Sequence, residues 1–217
     1  GNWEKSKFTG TELYSKTLGL IGCGNIGSIV ANRALGLKMH VKVYDPFLTD
    51  EKASEIGVEK IKINELFKIS DFISLHVPLT NSTKEIINKN TIKKMKKGVK
   101  IINCARGGLV NEKDLAYSIK KGHVSGAAFD VFSKEPANTN ILFGLPQVVA
   151  TPHLGASTEE AQENVAIQIA EQMSNYLING AVTNALNLPA VSAEDAPKLK
   201  PYMKLAEQIG RLAGQIA

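Results

Sequence analysis

The fold is decided by the stretch Leu18-Gly19-Leu20-Ile21-Gly22-Cys23-Gly24-Asn25-Ile26-Gly27. It is typical of a buried strand that enters a glycine-rich turn and continues as a helix to about Leu37. In such a turn Gly22 permits the sharp reversal, Gly24 lets backbone approach a diphosphate, and Gly27 lets the helix pack close to the strand. The free amides and the dipole at the start of the helix favour an anion. The stretch therefore predicts a dinucleotide-binding turn.

Composition places the chain among proteins with a full hydrophobic core, since it has 217 residues of which 43% are hydrophobic. No apolar run approaches the ~20 residues needed to cross a bilayer, so a membrane partner is not expected. The first residues, Gly1 to Lys5, lack a basic segment leading into an apolar one, and we expect no secretory signal. Because the sequence begins with Gly1 rather than methionine, we expect it to be part of a longer chain. The expected location is cytoplasmic.

Cysteine usage agrees with a reducing compartment. Cys23 and Cys104 are the two cysteines, they lie in dissimilar settings, and their separation does not match the spacing of metal ligands. We expect two free thiols and no metal site.

The net charge of +5 arises from 26 basic and 21 acidic residues. Its densest cluster is Lys93, Lys94, Lys96, Lys97 and Lys100. No aromatic residues interleave with these lysines to stack on bases, so a solvated helix face followed by a strand is favoured over a nucleic-acid site. A basic surface would still attract an anionic substrate.

The second strand, residues 40–44, ends at Asp45-Pro46. Asp45 follows Gly22 by 23 positions, close to the ~20-residue offset at which an acidic residue meets the adenosine ribose. A carboxylate there accepts hydrogen bonds from the ribose hydroxyls and repels the 2′-phosphate of NADP. The alternative is an aspartate that only completes a turn beside Pro46. With the glycine motif upstream, the ribose role is favoured, and the cofactor is predicted to be NAD.

Strands and helices alternate along the rest of the first 150 residues. This alternation predicts an α/β fold with a doubly wound parallel sheet of the Rossmann type. Further strands are predicted at 58–61, 71–75, 99–103, 124–129 and 148–150, and helices at 49–56, 64–68, 91–97 and 112–121, the last capped by Asn111.

The C-terminal part has a different pattern. Ser157 and Glu160 form a capping-box signature, and apolar residues then recur every four positions to about Asn179. A polar link precedes a last predicted helix at 203–216. We therefore divide the chain into a nucleotide domain at 1–156, a long helix at 157–183 that crosses to an incomplete substrate domain, and a linker with the first helix of a truncated domain at 184–217.

Three side chains follow the carboxyl ends of predicted strands: Arg106, Glu135 and His153. A dehydrogenase that acts on a 2-hydroxy acid needs a cation for the carboxylate, a group that exchanges the hydroxyl proton, and a partner that orients this group. Arginine, histidine and glutamate are suited to these roles. Each also has an ordinary interpretation: a surface ion pair for Arg106, a solvated loop position for Glu135, a backbone-satisfied side chain for His153. Their occurrence after a dinucleotide motif, together with the family resemblance described next, favours a catalytic triad.

The motifs GLIGCGNIG, HVPLT, NCARGG, AAFDVFSKEP and TPHLGASTEEA occur in this order between about residues 8 and 180. In these stretches the chain resembles the D-isomer-specific 2-hydroxyacid dehydrogenases. The resemblance implies that Arg106 binds substrate, that His153 transfers the proton, that Glu135 orients His153 and that Asp130 meets the nicotinamide carboxamide. It also implies a set of cofactor contacts: Gly22, Gly24, Asn25, Ile26, Gly27, Asp45, Val77, Cys104, Ala105, Arg106, Asp130, His153, Leu154, Gly155 and Ala156.

The segment after residue 184 resembles the entry into the extra domains of the branch that oxidises 3-phospho-D-glycerate to 3-phosphooxypyruvate with NAD, the first step of L-serine biosynthesis. The implied partners are a phosphorylated 2-hydroxy acid and a second copy bound through the nucleotide domain. Family members carry about a hundred residues of substrate domain before this stretch, so we expect this chain to bind NAD weakly and to turn over poorly. The alternatives are a sister enzyme, such as a glyoxylate/hydroxypyruvate reductase or D-lactate dehydrogenase, and an NAD-responsive corepressor-like binding module.

Overall fold

The computed structural model describes residues 3–4, 6, 9–187, 190–192 and 194–216. Residues 1, 2, 5, 7 and 8 of the N-terminal segment, residues 188, 189 and 193 of the predicted link, and residue 217 lie outside this set, so expectations for them are not addressed by the structure. The elements are β1 (Thr17–Ile21), α1 (Asn25–Gly36), β2 (His40–Tyr44), α2 (Asp50–Ile56), β3 (Glu59–Lys60), α3 (Ile63–Ile69), β4 (Phe72–Leu75), α4 (Lys89–Ile92), β5 (Val99–Asn103), α5 (Glu112–Lys120), β6 (Val124–Phe129), β7 (Val148–Ala150), α6 (Glu159–Asn179) and α7 (Ala196–Ile216).

The seven strands form one parallel sheet in the order β3-β2-β1-β4-β5-β6-β7. The chain runs outward from β1 to β3, returns to the other side of β1, and then runs outward again to β7. The predicted doubly wound Rossmann-type sheet is confirmed. The reversal of strand order between β1 and β4 creates the crevice at which such sheets bind their ligands.

The strand register aligns the carboxyl ends of the strands. Ile21 pairs with both Tyr44 and Leu75. Continuing outward, Leu75 pairs with Asn103 and Asn103 with Phe129. The connections that follow β1, β2, β4, β5, β6 and β7 therefore begin at the same edge of the sheet.

Two buried clusters hold the sheet to its helices. The larger packs strands β4–β6 against α3–α5 through side chains such as Phe67, Ile73, Ile101 and Leu115, and the smaller packs β1 and β2 against α1 through Leu20, Ala31 and Val43. The central strands are apolar on both faces because helices cover them, which explains why they were recognisable as short apolar runs.

The helix predicted at 91–97 is wrong in its bounds, because α4 begins at Lys89 and ends at Ile92. Asn88 caps the helix by accepting hydrogen bonds from the amides of Asn90 and Thr91, so the helix begins two residues earlier than predicted, at Lys89. The lysines from 93 onward place like charges three and four residues apart, which disfavours further helical turns.

The described chain separates into two compact units, Gly1–Gly155 and Ala156–Ala217. In the second unit, α6 is capped by Thr158, whose side chain accepts a hydrogen bond from the amide of Ala161. The predicted cap, Ser157, is therefore wrong by one residue. The helix ends at Gly180 in a left-handed conformation (φ 73°), as expected near that position.

The last helix is longer than predicted, since α7 begins at Ala196 rather than near residue 203. Ser192 accepts a hydrogen bond from the amide of Asp195 and donates one to its carboxylate, which forms a starting turn. Pro197 lies in the first helical turn, where the missing amide proton costs little, while Pro201 lies inside the helix.

Candidate active site

The glycine turn after β1 has the geometry that a bound diphosphate needs. Gly22 adopts φ +95°, and a Cβ there would overlap the carbonyl oxygen of His76. A Cβ at Gly27 would in turn overlap the carbonyl oxygen of Gly22. Around Gly24, by contrast, a Cβ would meet no atom within 4 Å. Two glycines are thus required by the protein's own packing, and the third borders open space at the N-terminus of α1, where the diphosphate is predicted to bind.

Asp45 lies against this turn. Its Oδ2 accepts a hydrogen bond from the amide of Cys23 at 2.8 Å, and its Oδ1 accepts one from the amide of Phe47 at 2.8 Å. Each carboxylate oxygen keeps a further lone pair for another donor. An open cavity of about 660 Å³ borders Asp45, Lys60 and Glu65. The carboxylate therefore stabilises the glycine turn, and its role as an acceptor for ribose hydroxyls stays a prediction.

The connection after β4 closes the other side of the turn. A Cβ at Gly22 would lie 2.7 Å from Cγ1 of Val77, so Val77 borders the glycine turn, and its contact with the cofactor stays a prediction. His76 is bonded through Nε2 to Oγ of Ser74 at 2.9 Å. Burial lowers the pKa of His76, which favours the neutral form. This geometry is typical of a histidine with a structural role.

The loop after β5 carries Arg106. Buried Asn103 organises this loop, because its amide donates to the carbonyl of Arg106 at 2.9 Å and its carbonyl accepts from the amide of Ala105 at 3.1 Å. Nη1 of Arg106 donates to the carbonyl of Ala105 at 2.6 Å, which leaves other guanidinium protons for a substrate. A Cβ at Gly107 would overlap the carbonyl of Phe132, so this loop packs directly against the next one.

The two thiols are free, with Cys23 buried and Cys104 exposed. Burial and the nearby Asp45 carboxylate raise the pKa of Cys23. Burial and the Asp130 carboxylate raise the pKa of Cys104. Both are therefore protonated at neutral pH, and neither is an activated nucleophile.

Glu135 and His153 form a direct pair. Nδ1 of His153 lies 2.7 Å from Oε2 of Glu135, and Oε1 of Glu135 accepts a hydrogen bond from the amide of Phe132 at 2.8 Å. The bond from His153, followed by that from Phe132, lowers the pKa of Glu135. An ionised carboxylate only accepts hydrogen bonds, so Nδ1 carries a proton, and in the neutral form of the ring Nε2 is an acceptor. The pair lines a cavity of about 440 Å³ whose apolar wall includes Phe143.

Asp130 holds the segment on which His153 lies. It is 6% exposed, and its oxygens accept hydrogen bonds from Oγ1 of Thr151 (2.6 Å) and the amides of Leu154 (2.7 Å) and Gly155 (2.8 Å). These donors lie on both sides of His153, whose backbone has φ 56°. That left-handed conformation is strained for a residue with a side chain. Asp130 therefore stabilises the conformation that directs His153 toward Glu135.

The other predicted cofactor contacts lie at the start of α1 and directly after His153 in the chain. Asn25 begins α1, and the Ile26 side chain that follows it is 63% exposed. Leu154 is 53% exposed, and Ala156 has φ 62°. Exposed apolar side chains beside the glycine turn and the His153 segment are suited to cover a flat ring. Their contacts with NAD stay predictions.

Two organising residues were not identified from the sequence. Asn103 shapes the Arg106 loop, and Thr151 donates to Asp130. Asn103 had a recognisable signal, since an asparagine at a strand end commonly bonds the backbone two residues onward. Thr151 had none, because its partner is 21 residues away in the chain.

The described part of the chain contains no group of three or more His, Cys, Asp or Glu side chains arranged to hold a metal ion. Among the described helices, none has the length and apolar character needed to cross a membrane.

Several lysines of the basic cluster have local partners: Lys94 donates to Asn64, Lys96 pairs with Asp71 at 2.9 Å, and Lys100 lies over the Phe72 ring.

Comparison with known proteins identifies close relatives. Residues 1–155 match the family model of the D-isomer specific 2-hydroxyacid dehydrogenase NAD binding domain. The D-3-phosphoglycerate dehydrogenase of Bacillus subtilis is 49% identical over 213 residues, which is 98% of this chain and 41% of the relative. The enzyme of that name from Methanocaldococcus jannaschii is 48% identical over 217 residues, covering 100% of this chain and 41% of the relative. The chain thus spans about two-fifths of the length of these relatives.

Solved structures agree with this assignment. A glyoxylate reductase from Paecilomyes thermophila superposes with a TM-score of 0.76 at 32% identity, covering 82% of this chain and 54% of that one. The apo structure of D-lactate dehydrogenase from Escherichia coli gives a TM-score of 0.73 at 31% identity, covering 81% of this chain and 55% of that one.

Proposed function

Because the chain belongs to the family of D-isomer-specific 2-hydroxyacid dehydrogenases, with NAD as cofactor, we propose that it is the nucleotide-binding part of an enzyme that oxidises 3-phospho-D-glycerate to 3-phosphooxypyruvate, the first step of L-serine biosynthesis. The observation that carries the proposal is the Glu135–His153 pair at 2.7 Å, with Arg106 on a neighbouring loop. Support for this substrate comes from relatives named D-3-phosphoglycerate dehydrogenase, which match at 45–49% identity across the whole chain, including the residues after 184.

Proton transfer is assigned to His153. NAD, when bound, accepts a hydride from carbon 2 of the substrate. The hydroxyl proton on that carbon goes to Nε2 of His153, since Nδ1 already donates to Glu135. The Glu135 carboxylate keeps the imidazole in this tautomer and stabilises the positive charge that develops when Nε2 takes the proton.

Substrate orientation is assigned to Arg106. Its guanidinium uses one N–H on the carbonyl of Ala105 and presents the others from an exposed loop. A carboxylate bound there by two parallel hydrogen bonds fixes the adjacent carbon that carries the hydroxyl. Asn103 and Gly107 support this role because they set the path of the loop.

The test is a substrate panel on the complete gene product that contains this chain, with 3-phospho-D-glycerate, glyoxylate, hydroxypyruvate and D-lactate as candidates. We expect the highest kcat/KM for 3-phospho-D-glycerate, and a fall of about 10²–10⁴-fold in kcat for His153→Asn. The 217-residue chain alone is expected to bind NAD weakly and to turn over slowly or not at all. Rapid oxidation by this chain, or a preference for D-lactate, would overturn the corresponding part of the proposal.

A second candidate function is that of a sister dehydrogenase. It is supported by the structural similarity to a glyoxylate reductase and a D-lactate dehydrogenase. Those structures are 31–32% identical to this chain, below the 45–49% of the phosphoglycerate dehydrogenases, so the sister reaction is the weaker proposal. An NAD-responsive binding module is the third. Turnover of any substrate in the panel would exclude the module as the sole function.

Asp45 is proposed to select NAD over NADP. Its oxygens have lone pairs left beyond the bonds from Cys23 and Phe47, and its charge repels a 2′-phosphate. Calorimetric titration of both nucleotides should show a preference for NAD that is reduced in Asp45→Ala. Equal binding of both nucleotides by the unmodified chain would contradict this role.

A homodimer formed through the nucleotide domain is also proposed, from the family resemblance, and a cytoplasmic location is proposed from the two free cysteines, which agree with a reducing compartment. Sedimentation equilibrium at rising concentration would test the first, with a persistent monomer as the contrary result. Fractionation of cells that express the complete protein would test the second.

A further inference from the structure

Glu112 begins helix α5, yet its carboxylate is directed at a different part of the chain. Its Oε1 accepts hydrogen bonds from the amide and the hydroxyl of Ser133, at 2.8 and 2.7 Å. Its Oε2 accepts one from the side-chain amide of Asn140 at 2.8 Å. One half-buried carboxylate therefore binds two points of the loop that connects β6 to β7.

Glu135 lies between those two points. Ser133 follows Phe132, whose amide donates to Oε1 of Glu135 at 2.8 Å. At the other side, Oδ1 of Asn140 accepts from the amide of Leu142 at 3.0 Å, and Leu142 is fully buried. The contacts of Glu112 thus hold both ends of the segment that carries Glu135, while Glu135 itself is free to bind His153.

A simpler interpretation is that Glu112 only stabilises the N-terminus of α5. The helix already has a cap, since the Asn111 side chain accepts from the amide of Asp114. Asp114 supplies a second first-turn carboxylate, and its Oδ2 accepts from the amide of Lys89. If Glu112 only stabilised the start of the helix, its carboxylate would not need three hydrogen-bond donors from the β6–β7 loop. A role in holding that loop explains all three.

Helix α5 also follows the Arg106 loop directly. Gly107 packs against the backbone of Phe132 without room for a Cβ. The loop that carries Arg106 and the loop that carries Glu135 are thus joined at two places, by the Gly107 contact and by Glu112 five residues later.

We propose that Glu112 is a positioning residue that sets the location of Glu135 relative to His153 by binding the loop at Ser133 and Asn140. The inference rests on the proposed proton-transfer role of the Glu135–His153 pair. Glu112 itself contacts neither residue of the pair by hydrogen bond, so it acts through the loop.

The experiment follows the carboxyl carbon of Glu135 by NMR during a pH titration of the 217-residue chain, in wild type and Glu112→Ala. We expect the pKa of Glu135 to move upward in the variant, because the bonds that lower it are weakened when the loop shifts. Asp114→Ala is the matched control, since it removes a carboxylate from the same helical turn without touching this loop. Affinity for NAD should stay within about twofold in both variants.

A Glu135 pKa that is unchanged in folded Glu112→Ala, or equally shifted in Asp114→Ala, would overturn the proposal. If Glu112→Ala does not fold, the double variant Ser133→Ala/Asn140→Ala removes both side-chain hydrogen bonds to Glu112 and leaves only the bond from the Ser133 amide. An upward shift of the Glu135 pKa in this variant supports the proposal, and no shift contradicts it. In the complete enzyme, Glu112→Ala should reduce kcat by about tenfold to a hundredfold with little change in KM for NAD. The NMR readout needs no turnover, so it stays decisive even where the proposed reaction fails.

Discussion

Asp130 shows how one side chain controls the backbone of the site. The family resemblance implied a contact with the nicotinamide carboxamide, and the structure shows that its oxygens already accept three hydrogen bonds from Thr151, Leu154 and Gly155. Oδ2 has a single donor, so a further contact with a ligand is compatible with this arrangement. The added function is to keep His153 in its left-handed conformation.

Replacing Asp130 by asparagine should destabilise the His153 segment. Burial opposes ionisation of Asp130, but the hydrogen bonds from Thr151, Leu154 and Gly155 outweigh it and lower its pKa. Asparagine has one acceptor oxygen instead of two, so we expect a loss of about 2 kcal/mol in the free energy of unfolding at neutral pH. Urea denaturation of both proteins would measure it.

The same carboxylate predicts an acid dependence. Because the folded-state pKa of Asp130 is depressed, its stabilisation is complete above the ordinary aspartate pKa of about 3.9 and is lost as the pH falls through the lower folded value. Asp130→Asn lacks this contribution and should lose less stability than wild type in that range. If the free energy of unfolding fell equally with pH in the two proteins, the stabilising role of the ionised Asp130 carboxylate would be contradicted.

Substitution can distinguish the glycine of the first turn that is needed for cofactor binding from the one that is needed for folding. Gly24→Ala should leave the melting temperature unchanged, because a Cβ there meets no atom within 4 Å, while NAD affinity falls about tenfold or more. Gly22→Ala should destabilise the fold itself, since Gly22 has φ +95° and borders the His76 carbonyl. Thermal unfolding and calorimetric titration of each variant test the pair. An NAD affinity of Gly24→Ala equal to that of the unmodified chain would show that the diphosphate does not bind at Gly24.

Among the elements, helix starts were the least predictable features. Both Ser157 and Thr158 are good capping residues, and the sequence pattern with Glu160 favoured the first. The structure selects Thr158, which bonds the amide of Ala161. The choice depends on which residue leaves the helical conformation, and composition does not encode that.

Thr158→Ala should therefore weaken the start of α6, by about 1 kcal/mol, whereas Ser157→Ala should have little effect. Amide hydrogen exchange at residues 159–162 measures the local change directly. The reverse order of effects would restore Ser157 as the cap.

At the scale of the whole molecule, the parallel sheet gathers residues that are far apart in sequence. Six connections leave its carboxyl edge, and they carry the glycine turn, Asp45, Val77, Arg106, Glu135 and His153. The two large buried clusters lie entirely within the first unit. The residues proposed for catalysis are therefore supported by a core that does not draw on the second unit.

A chain ending at Gly155 should consequently fold on its own. We expect its urea midpoint for loss of sheet structure to match that of the 217-residue chain, because no residue of either large cluster is removed. NAD affinity should change only a few-fold, since Ala156 is the one residue predicted to bind NAD that the shorter chain omits. Circular dichroism and calorimetry provide the measurements, and an unfolded or aggregated product would show that the first unit depends on the second.

Much of the fold was predictable because buried parallel strands are short apolar runs bounded by glycine, proline or polar residues. Residues 40–44, 99–103, 124–129 and 148–150 were assigned to strands that the structure confirms. Helix α4 and the start of α7 were misjudged, because local side-chain bonds from Asn88 and Ser192 set their first turns. Such bonds depend on rotamers as well as on residue type.

The sequence by itself determined the family through its ordered motifs. It determined the Rossmann-type sheet and the cofactor through the alternation of strands and helices, the glycine turn and the acidic residue after β2, because these are local patterns with a direct physical cause. Only the tertiary structure decided how the site is held together. The bonds from Asp130 to the His153 segment and from Glu112 to the Glu135 loop join residues 21 to 28 positions apart. Such partners meet only after the strands have paired in register, so no local pattern predicts them.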